Sequence, residues 1–398
     1  MAETYARDVT RVQKWTAEFQ EEWVRLGPFK RFMSTSGGNI INVNDSDLKS
    51  EGESVDFPFV SCIRGDGVTG NQMLEGAEDD STGDSHRIFI DWYRQAKLPT
   101  KKGLKATVYD QLSAYRSALK MWADEKVKNA LISALCSVGY EISTTSKSTF
   151  NNQFWNYMYP ASPTTLPGST GYAAATQLNN FAVKNGPVSG GHLGRLLFGA
   201  ATSNYGTIGS FVWATALGNI DTSADKMTYS ILDIAKNMAI DDRLNPRIAP
   251  YTGNNRAATE ETYVCLMHPT AFQHLRDSLM ASGTSLLQQA EVRGRDNPLF
   301  KGGDLYWNGV LCTSVPGLPV IAGGASTSFI VPSFLCGRNA LGLAWGQLPR
   351  PVSQDRDYGF RQGVGIEMQF GAEKLLYFDT SAGVKTQQMI SIFTSAGY

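Results

Sequence analysis

The stretch ATVYDQLSAYRSALKMWADEKVKNALISALCSV, residues 106–138, decides how the rest of the chain is read. It holds neither Gly nor Pro, and apolar side chains fall at Val108, Leu112, Tyr115, Leu119 and Trp122 in alternating steps of four and three. That spacing sets them on one stripe of an α-helix. After an offset at Val127 the stripe resumes at Leu131, Leu135 and Val138, and Gly139 supplies the stop. At 1.5 Å per residue the helix is expected to extend about 45 Å or more.

Towards the N-terminus, VDFPFVSCI (55–63) and HRIFIDWYRQAKL (86–98) are β-prone runs joined by a Gly- and acid-rich connection. They read as an extended hairpin whose tip is held by something other than its own domain, because the connection offers only Val68, Met73 and Leu74 as apolar anchors. Residues 34–53 are rich in Gly, Ser and Asn and read as an extended arm. Before them Val9, Val12, Trp15, Phe19, Trp23 and Val24 repeat at helical spacing, and a stripe with two tryptophans and a phenylalanine needs a partner surface.

Towards the C-terminus, residues 140–222 carry Ser, Thr, Asn, Gly and aromatics with no helical period, and read as an irregular insertion with short strands. MTYSILDIAKNMAI (227–240) is a second helix, with Thr222 or Ser223 as its N-cap and Asn245-Pro246 as its break. TYVCLMHPTAFQHLRDSL (262–279) reads as strand, turn and helix. LFKGGDLYWNGVLCTSVPGLP (299–319) is Gly-punctuated β text, SFIVPSFLCGRNALGLAWG (328–346) holds two short strands, and GVGIEMQFGAEKLLYF (363–378) is a strand pair or one strand bulged at Gly371. Helices early and strands late, without βαβ alternation, argue an α+β fold.

The 398 residues are 42% hydrophobic, enough for a real core and for two or three units. Charged residues make up only 18%, against about 25% in an average domain, so much of the surface is uncharged. With 36 Lys and Arg against 37 Asp and Glu, the net charge of -1 lacks the whole-chain electrostatic footprint of a nucleic-acid binder and leaves room only for a local basic face. The cysteines Cys62, Cys136, Cys265, Cys312 and Cys336 are odd in number, scattered and without a CxxC pair, which argues for reduced thiols over a disulfide framework or zinc site. The N-terminal segment lacks the apolar core of a signal peptide, and no apolar run approaches the ~18 to 20 residues that cross a bilayer.

Catalytic signatures are absent. There is no GxxxxGK followed by Ser or Thr, no GxSxG and no HExxH, and Gly190, Gly191 and Gly194 only echo a dinucleotide turn. His86, His192, His268 and His274 never stand three or four apart, so no helix face offers a pair to a metal. His268, before Pro269, reads as a turn or core histidine. Glu75, Glu78, Asp79, Asp80 and Asp84 lack the register of a calcium loop and read as a solvated tip. Arg64-Gly65-Asp66 reads as a turn. The arginines at 243, 247, 256, 350, 356 and 361 are interleaved with Asp and read as interface charges. No catalytic, cofactor-binding or metal residue is assigned, and no cofactor is expected.

This order of elements resembles the major capsid proteins of tailed-phage heads, over almost the whole chain. VDFPFV through IDWYRQAKL is similar to their E-loop, ATVYDQL to CSVG to the spine helix, MTYSILDIAKNM to an A-domain helix and GVGIEMQFGAEKLLYF to the returning long strand. FPFV, GVTGNQMLEG, IFIDWYR and YVCLMHPTAFQHLRD with NPLF and NGV look most like the branch of the N-four-like podoviruses. The departure is residues 141–222, which align to no standard element.

The resemblance implies an N-terminal arm over 1–48, an E-loop over 49–105, a P-domain spine helix over 106–140 and the insertion over 141–222. It further implies A-domain parts over 223–284 and 321–349, P-domain strands over 285–320, and a P-domain return strand over 350–398. It implies a structural subunit, not an enzyme, that self-assembles as pentamers and hexamers into the icosahedral head around double-stranded DNA. Expected partners are a separate scaffolding protein, a portal, a decoration protein and, on the inner face, packaged DNA without sequence specificity; no membrane is involved. The subunit is expected to assemble in the host bacterial cytoplasm and to reside in the virion. Residues 1–48 are expected to stay on the mature subunit. Trp15, Phe19, Trp23, Val68, Met73, Leu74 and Trp92 are the expected inter-subunit contacts. A near-neutral face low in Lys and Glu suits this role, because burying it against neighbours costs little desolvation. The alternatives are a bacterial nanocompartment shell of the same fold and an α+β enzyme with a site assembled from scattered loops.

Overall fold

The computed structural model describes residues 28–35, 38–45, 54–60, 68–71, 73–75, 83–106, 110–137, 156–157, 171–172, 194–206, 212–241, 247–251, 261–281, 304–325, 328–377 and 386–397. In chain order they form a 3-10 turn (Pro28–Phe32), β1 (Met33–Ser34), β2 (Ile41–Asn44), β3 (Ser54–Val60), β4 (Gly83–Phe89), β5 (Asp91–Lys97), α1 (Lys101–Ala106) and α2 (Gln111–Cys136). Next come β6 (Asn156–Tyr157), β7 (Gly171–Tyr172), β8 (Leu196–Phe198), α3 (Trp213–Gly218), α4 (Tyr229–Ile240), β9 (Tyr263–Met267) and α5 (Pro269–Ala281). The late strands are β10 (Leu305–Trp307), β11 (Val310–Ser314), β12 (Ile321–Ala322), β13 (Phe329–Cys336), β14 (Leu341–Arg356), β15 (Arg361–Lys374), β16 (Leu376–Tyr377), β17 (Thr386–Gln387) and β18 (Met389–Ser395). Contacts divide the chain into a smaller unit that includes residues 92–126 and 347–369, and a larger one that includes 28–91, 127–346 and 370–397.

The deciding helix is present but starts later than its composition implies. Asp110 accepts from the amides of Leu112 and Ser113 at 3.0 and 3.4 Å, so its carboxylate caps α2 at Gln111. Lys101–Ala106 is a separate short helix opened by Thr100, whose hydroxyl accepts from the Gly103 amide at 3.2 Å. The 26 residues of α2 therefore extend about 39 Å, and Val108, Val138 and Gly139 lie outside the described residues. Leu119 is 5% exposed, whereas Leu112, Tyr115 and Trp122 are half-buried. From Asn129 to Cys136 every residue is buried, so the stripe expected there widens to the full circumference.

The core of the larger unit is a seven-stranded sheet in the order β10-β11-β9-β13-β18-β8, with β12 on β13. β9, β18 and nearly all of β13 are buried, which explains why YVCLM, FIVPSFLC and MISIFTS read as continuous runs without alternation. Pro332 lies inside β13, yet the β12 pairing ends at Ile330 and the β9 pairing starts at Ser333. Its missing N–H thus falls in the gap between two neighbours, while β18 pairs on the other side. β10 and β11 form a hairpin through Asn308 and Gly309, both at positive φ (43° and 77°). Asn308 Nδ2 and Trp307 Nε1 donate to Asp233 at 2.9 and 3.1 Å, which pins α4 to that hairpin.

Three expectations change here. The N-cap of α4 is Thr228, whose hydroxyl accepts from the Ile231 amide, and not Thr222 or Ser223. Ser223 is instead bound into a turn by Asp221, which accepts its amide at 2.8 Å. The segment over 141–222 is not an appended insertion at its end: β8 joins β18 in the main sheet, and Phe198 stacks on Phe393 at 5.1 Å with Trp213 edge-on at 5.6 Å. Finally, β9 and β13 were assigned to one domain and β11 and β18 to another, but all four share one sheet.

In the larger unit β1 and β2 run parallel beside the start of β14. In the smaller unit β14, β15 and β5 lie side by side in that order. β14 is a strand of 16 residues instead of a short one, and β15 passes through Gly371 as one strand.

Candidate inter-subunit surface

The β3–β4 hairpin follows from its alternation. Val55 and Phe57 on β3 and Ile88 on β4 turn inward and cluster with Ala344 and Leu375, while Asp56 and Arg87, paired across the strands, face outward and bind each other at 2.8 Å. The strands pair over seven residues, from Ser54 opposite Phe89 to Val60 opposite Gly83. Gly371 permits the close approach of β15 to the base of the hairpin, since a Cβ there would stand 2.0 Å from the Phe89 carbonyl oxygen. The second β-prone run does not stay in the hairpin throughout. It divides at Ile90, and β5 leaves to pair with β15.

Between the strands, Val68 is half-buried, while Met73 and Leu74 are 77% and 59% exposed. Trp92, at the start of β5, is also exposed. Met73, Leu74 and Trp92 thus present apolar surface to solvent on the single subunit. Trp15, Phe19 and Trp23 lie outside the described residues.

A second apolar projection was not singled out from the sequence. β14 and β15 meet at a tight turn in which the Phe360 amide donates to the Asp357 carbonyl at 2.9 Å. Tyr358 and Gly359, at φ 49° and 79°, occupy the left-handed region that such a hairpin turn requires. Tyr358 is a bulky residue in that region and is fully exposed, with Phe360, Val352 and Leu348 also exposed nearby in sequence. Tyr358 and Phe360 together at the tip of the strand pair are the kind of exposed apolar projection that marks a contact surface. The signal in the sequence was Leu348, Val352, Tyr358 and Phe360 set among prolines and arginines, which is too irregular for a period of two to reveal.

The titratable groups give no counter-reading. Among the described residues no group of three or more His, Cys, Asp and Glu is placed to hold a metal. His268 Nδ1 accepts from the Thr270 amide at 3.2 Å and burial lowers its pKa, the behaviour of a turn histidine at the head of α5. His86 lies 3.0 Å from Glu373 across the hairpin base. Cys136, Cys265, Cys312 and Cys336 are buried thiols. Burial pushes the Cys336 thiol up to about 12, and the neighbouring Cys312 together with burial raises Cys265, so neither is a nucleophile.

Comparison with known proteins decides what this surface belongs to. The family model described as "Phage capsid protein" matches residues 3–394. The chain belongs to the phage capsid protein family. It is 24% identical over 367 residues to the major capsid protein of Pseudomonas phage KPP25, an alignment that covers 90% of this chain and 87% of that one. Among solved structures it resembles the capsid subunit of cyanophage Pam1, with a TM-score of 0.76 at 24% identity over 100% of both chains. It also resembles the capsid of Ralstonia phage GP4, with a TM-score of 0.67 at 20% identity over 98% of this chain and 96% of that one. The fold is the α+β fold of tailed-phage capsid proteins. As a phage capsid protein the chain is a structural shell subunit and a component of the virion, and the enzyme and nanocompartment readings fall away.

Proposed function

We propose that copies of this phage capsid protein close into an icosahedral head of pentamers and hexamers around the double-stranded DNA of a tailed phage. The observation that carries this reading is the pair of apolar projections, Met73 with Leu74 and Tyr358 with Phe360, left exposed on the single subunit. A subunit that must touch several neighbours exposes more apolar surface than a monomer tolerates, and a heterologous contact of fixed rotation closes into rings.

Within this reading β3–β4 is the E-loop and α2 the spine helix, and the arm lies across a neighbour through Trp15, Phe19 and Trp23, whereas Ile41–Asn44, expected as part of that arm, pairs with β14 of its own subunit. Assembly takes place in the host cytoplasm with a separate scaffolding protein and a portal, with a decoration protein outside and packaged DNA inside. Kinship with the N-four-like branch rests on FPFV, IFIDWYR and YVCLMHPTAFQHLRD. Electron microscopy of particles formed on co-expression with the scaffold tests the proposal. Closed shells with five- and sixfold clusters are expected, and open sheets or single subunits contradict it.

A further inference from the structure

The turn between β10 and β11 is Asn308-Gly309, and the fold leaves little choice at either position. Both residues stand at positive φ, 43° and 77°, as a two-residue hairpin turn requires. At the second position only glycine fits, because a Cβ there would stand 2.9 Å from Lys236 Nζ and 3.0 Å from the Glu261 carbonyl oxygen. At the first, the side chain both accepts and donates. Lys236 Nζ donates to Asn308 Oδ1 at 3.3 Å, and Asn308 Nδ2 donates to Asp233 Oδ1 at 2.9 Å. Asn tolerates this backbone and does both, whereas Gly has no side chain and an ionised Asp only accepts.

The pair that the turn demands is also chemically labile. Asparagine before glycine loses its side-chain amide readily, because glycine puts no Cβ in the way of the attacking backbone nitrogen. Asn308 is exposed, so water reaches it. The Gly309 nitrogen attacks Asn308 Cγ and its proton passes through solvent to Nδ2; the Cγ–Nδ2 bond breaks and ammonia leaves. One water then opens the five-membered imide to aspartate or isoaspartate. The balance is one water taken up and one ammonia released, with no change of oxidation state.

Closing the imide requires the side chain to swing off its two hydrogen bonds. Both are charge-assisted, one from an ammonium and one to a carboxylate, and both partners lie one turn apart on α4. Asp233 Oδ1 is itself fixed by Trp307 Nε1 at 3.1 Å, and Tyr229 packs edge-on against that indole at 5.8 Å. Beyond the turn, the Gly309 carbonyl accepts from the Tyr263 amide at 3.0 Å. We propose that Asn308 is a site of spontaneous deamidation whose rate is set by the clamp of Lys236 and Asp233, and that its conversion to an acid frees the β10–β11 hairpin from α4. The acid has no N–H for Asp233 and sets a second carboxylate against it. The change is irreversible, so it accumulates with the age of the subunit.

The test uses the full-length subunit, incubated folded in mildly alkaline buffer and read by peptide mass spectrometry as the change from amide to acid at Asn308. Asn185-Gly186, the other Asn-Gly of the sequence, serves as the internal reference. Lys236→Met and Asp233→Ala each remove one arm of the clamp. Each is expected to speed conversion at Asn308 about tenfold, the factor for one hydrogen bond of ordinary strength, and to leave the rate at Asn185 as in wild type. If neither variant converts Asn308 faster, the clamp is overturned. A parallel rise at Asn185 reports general loosening and overturns it too, as does a Lys236–Asn308 cross-link formed with loss of ammonia in place of an acid. Asn308→Asp is expected to speed hydrogen exchange at the amides of β10 and β11; unchanged or slower exchange overturns the release of the hairpin. If Asp233→Ala does not fold, Lys236→Met decides alone.

Discussion

Lys374 Nζ donates to Gln387 Oε1 across 2.8 Å, at a site where the lysine keeps 2% of its surface. Its second acceptor is the Ser137 carbonyl, just past the end of α2, at 3.0 Å. Both partners are neutral, and burial pushes the amine down to about 7 from its usual 10.5.

The unfolded chain therefore binds one more proton than the native one between about pH 7 and 10.5, and stability rises with pH across that window. Below about pH 7 both states are protonated and the benefit is gone. Lys374→Met removes this group. The stability of wild type relative to the variant, from urea unfolding, is expected to climb between pH 7 and 9.5 by up to ~1.4 kcal/mol per pH unit. A difference that stays flat with pH places the lysine's charge in solvent.

Leu119 is the buried member of the stripe Leu112, Tyr115, Leu119 and Trp122. Leu119→Ala is expected to cost about 2 to 5 kcal/mol, the range for emptied core sites. A loss below ~0.5 kcal/mol, typical of surface positions, contradicts the helix orientation.

Gly371→Ala tests the hairpin base. The added methyl meets the Phe89 carbonyl oxygen at 2.0 Å, so backbone must move, at a cost of roughly 1 to 3 kcal/mol or more in thermal or urea unfolding. Unchanged stability means that β15 and β4 do not approach as described.

Tyr358→Asn separates folding from assembly. Asn accepts the left-handed conformation at φ 49° more readily than Tyr, so subunit stability is expected to hold or rise by a few tenths of a kcal/mol. Particle yield is expected to fall, because the exposed ring is lost from the surface. Loss of stability with unchanged yield reverses the assignment.

Much of the architecture was legible because it depends on local pattern. The 3.6-residue period of Leu112 to Trp122, the strand–turn–helix of Tyr263 to Ala281 and the alternation of Val55, Phe57 and Ile88 each reveal an element without its neighbours. What failed depends on partners distant in sequence. Leu196–Phe198 is too short to show a period, and it is the pairing with β18, with Phe393 stacked on Phe198, that makes it core. The Asp110 cap lies inside a run of good helix formers, where one hydrogen-bonding carboxylate outweighs propensity. Domain limits drawn by analogy failed because the sheet joins β9 to β11 and β13 to β18 across them. Of the candidate contacts, the apolar residues of an acidic loop were visible as misfits. The Tyr358 turn was hidden, because an Asp-Tyr-Gly-Phe turn looks like any hairpin connection until the exposure of its ring is known.

The central claim is that the apolar projections of the single subunit are buried between copies. Hydrogen exchange, read by mass spectrometry on free subunits and on assembled particles, measures this at the amides around Met73 and Leu74 and from Leu348 to Phe360. The account expects both segments to exchange more slowly in particles than in free subunits. Equal exchange in the two states, at both segments, contradicts it.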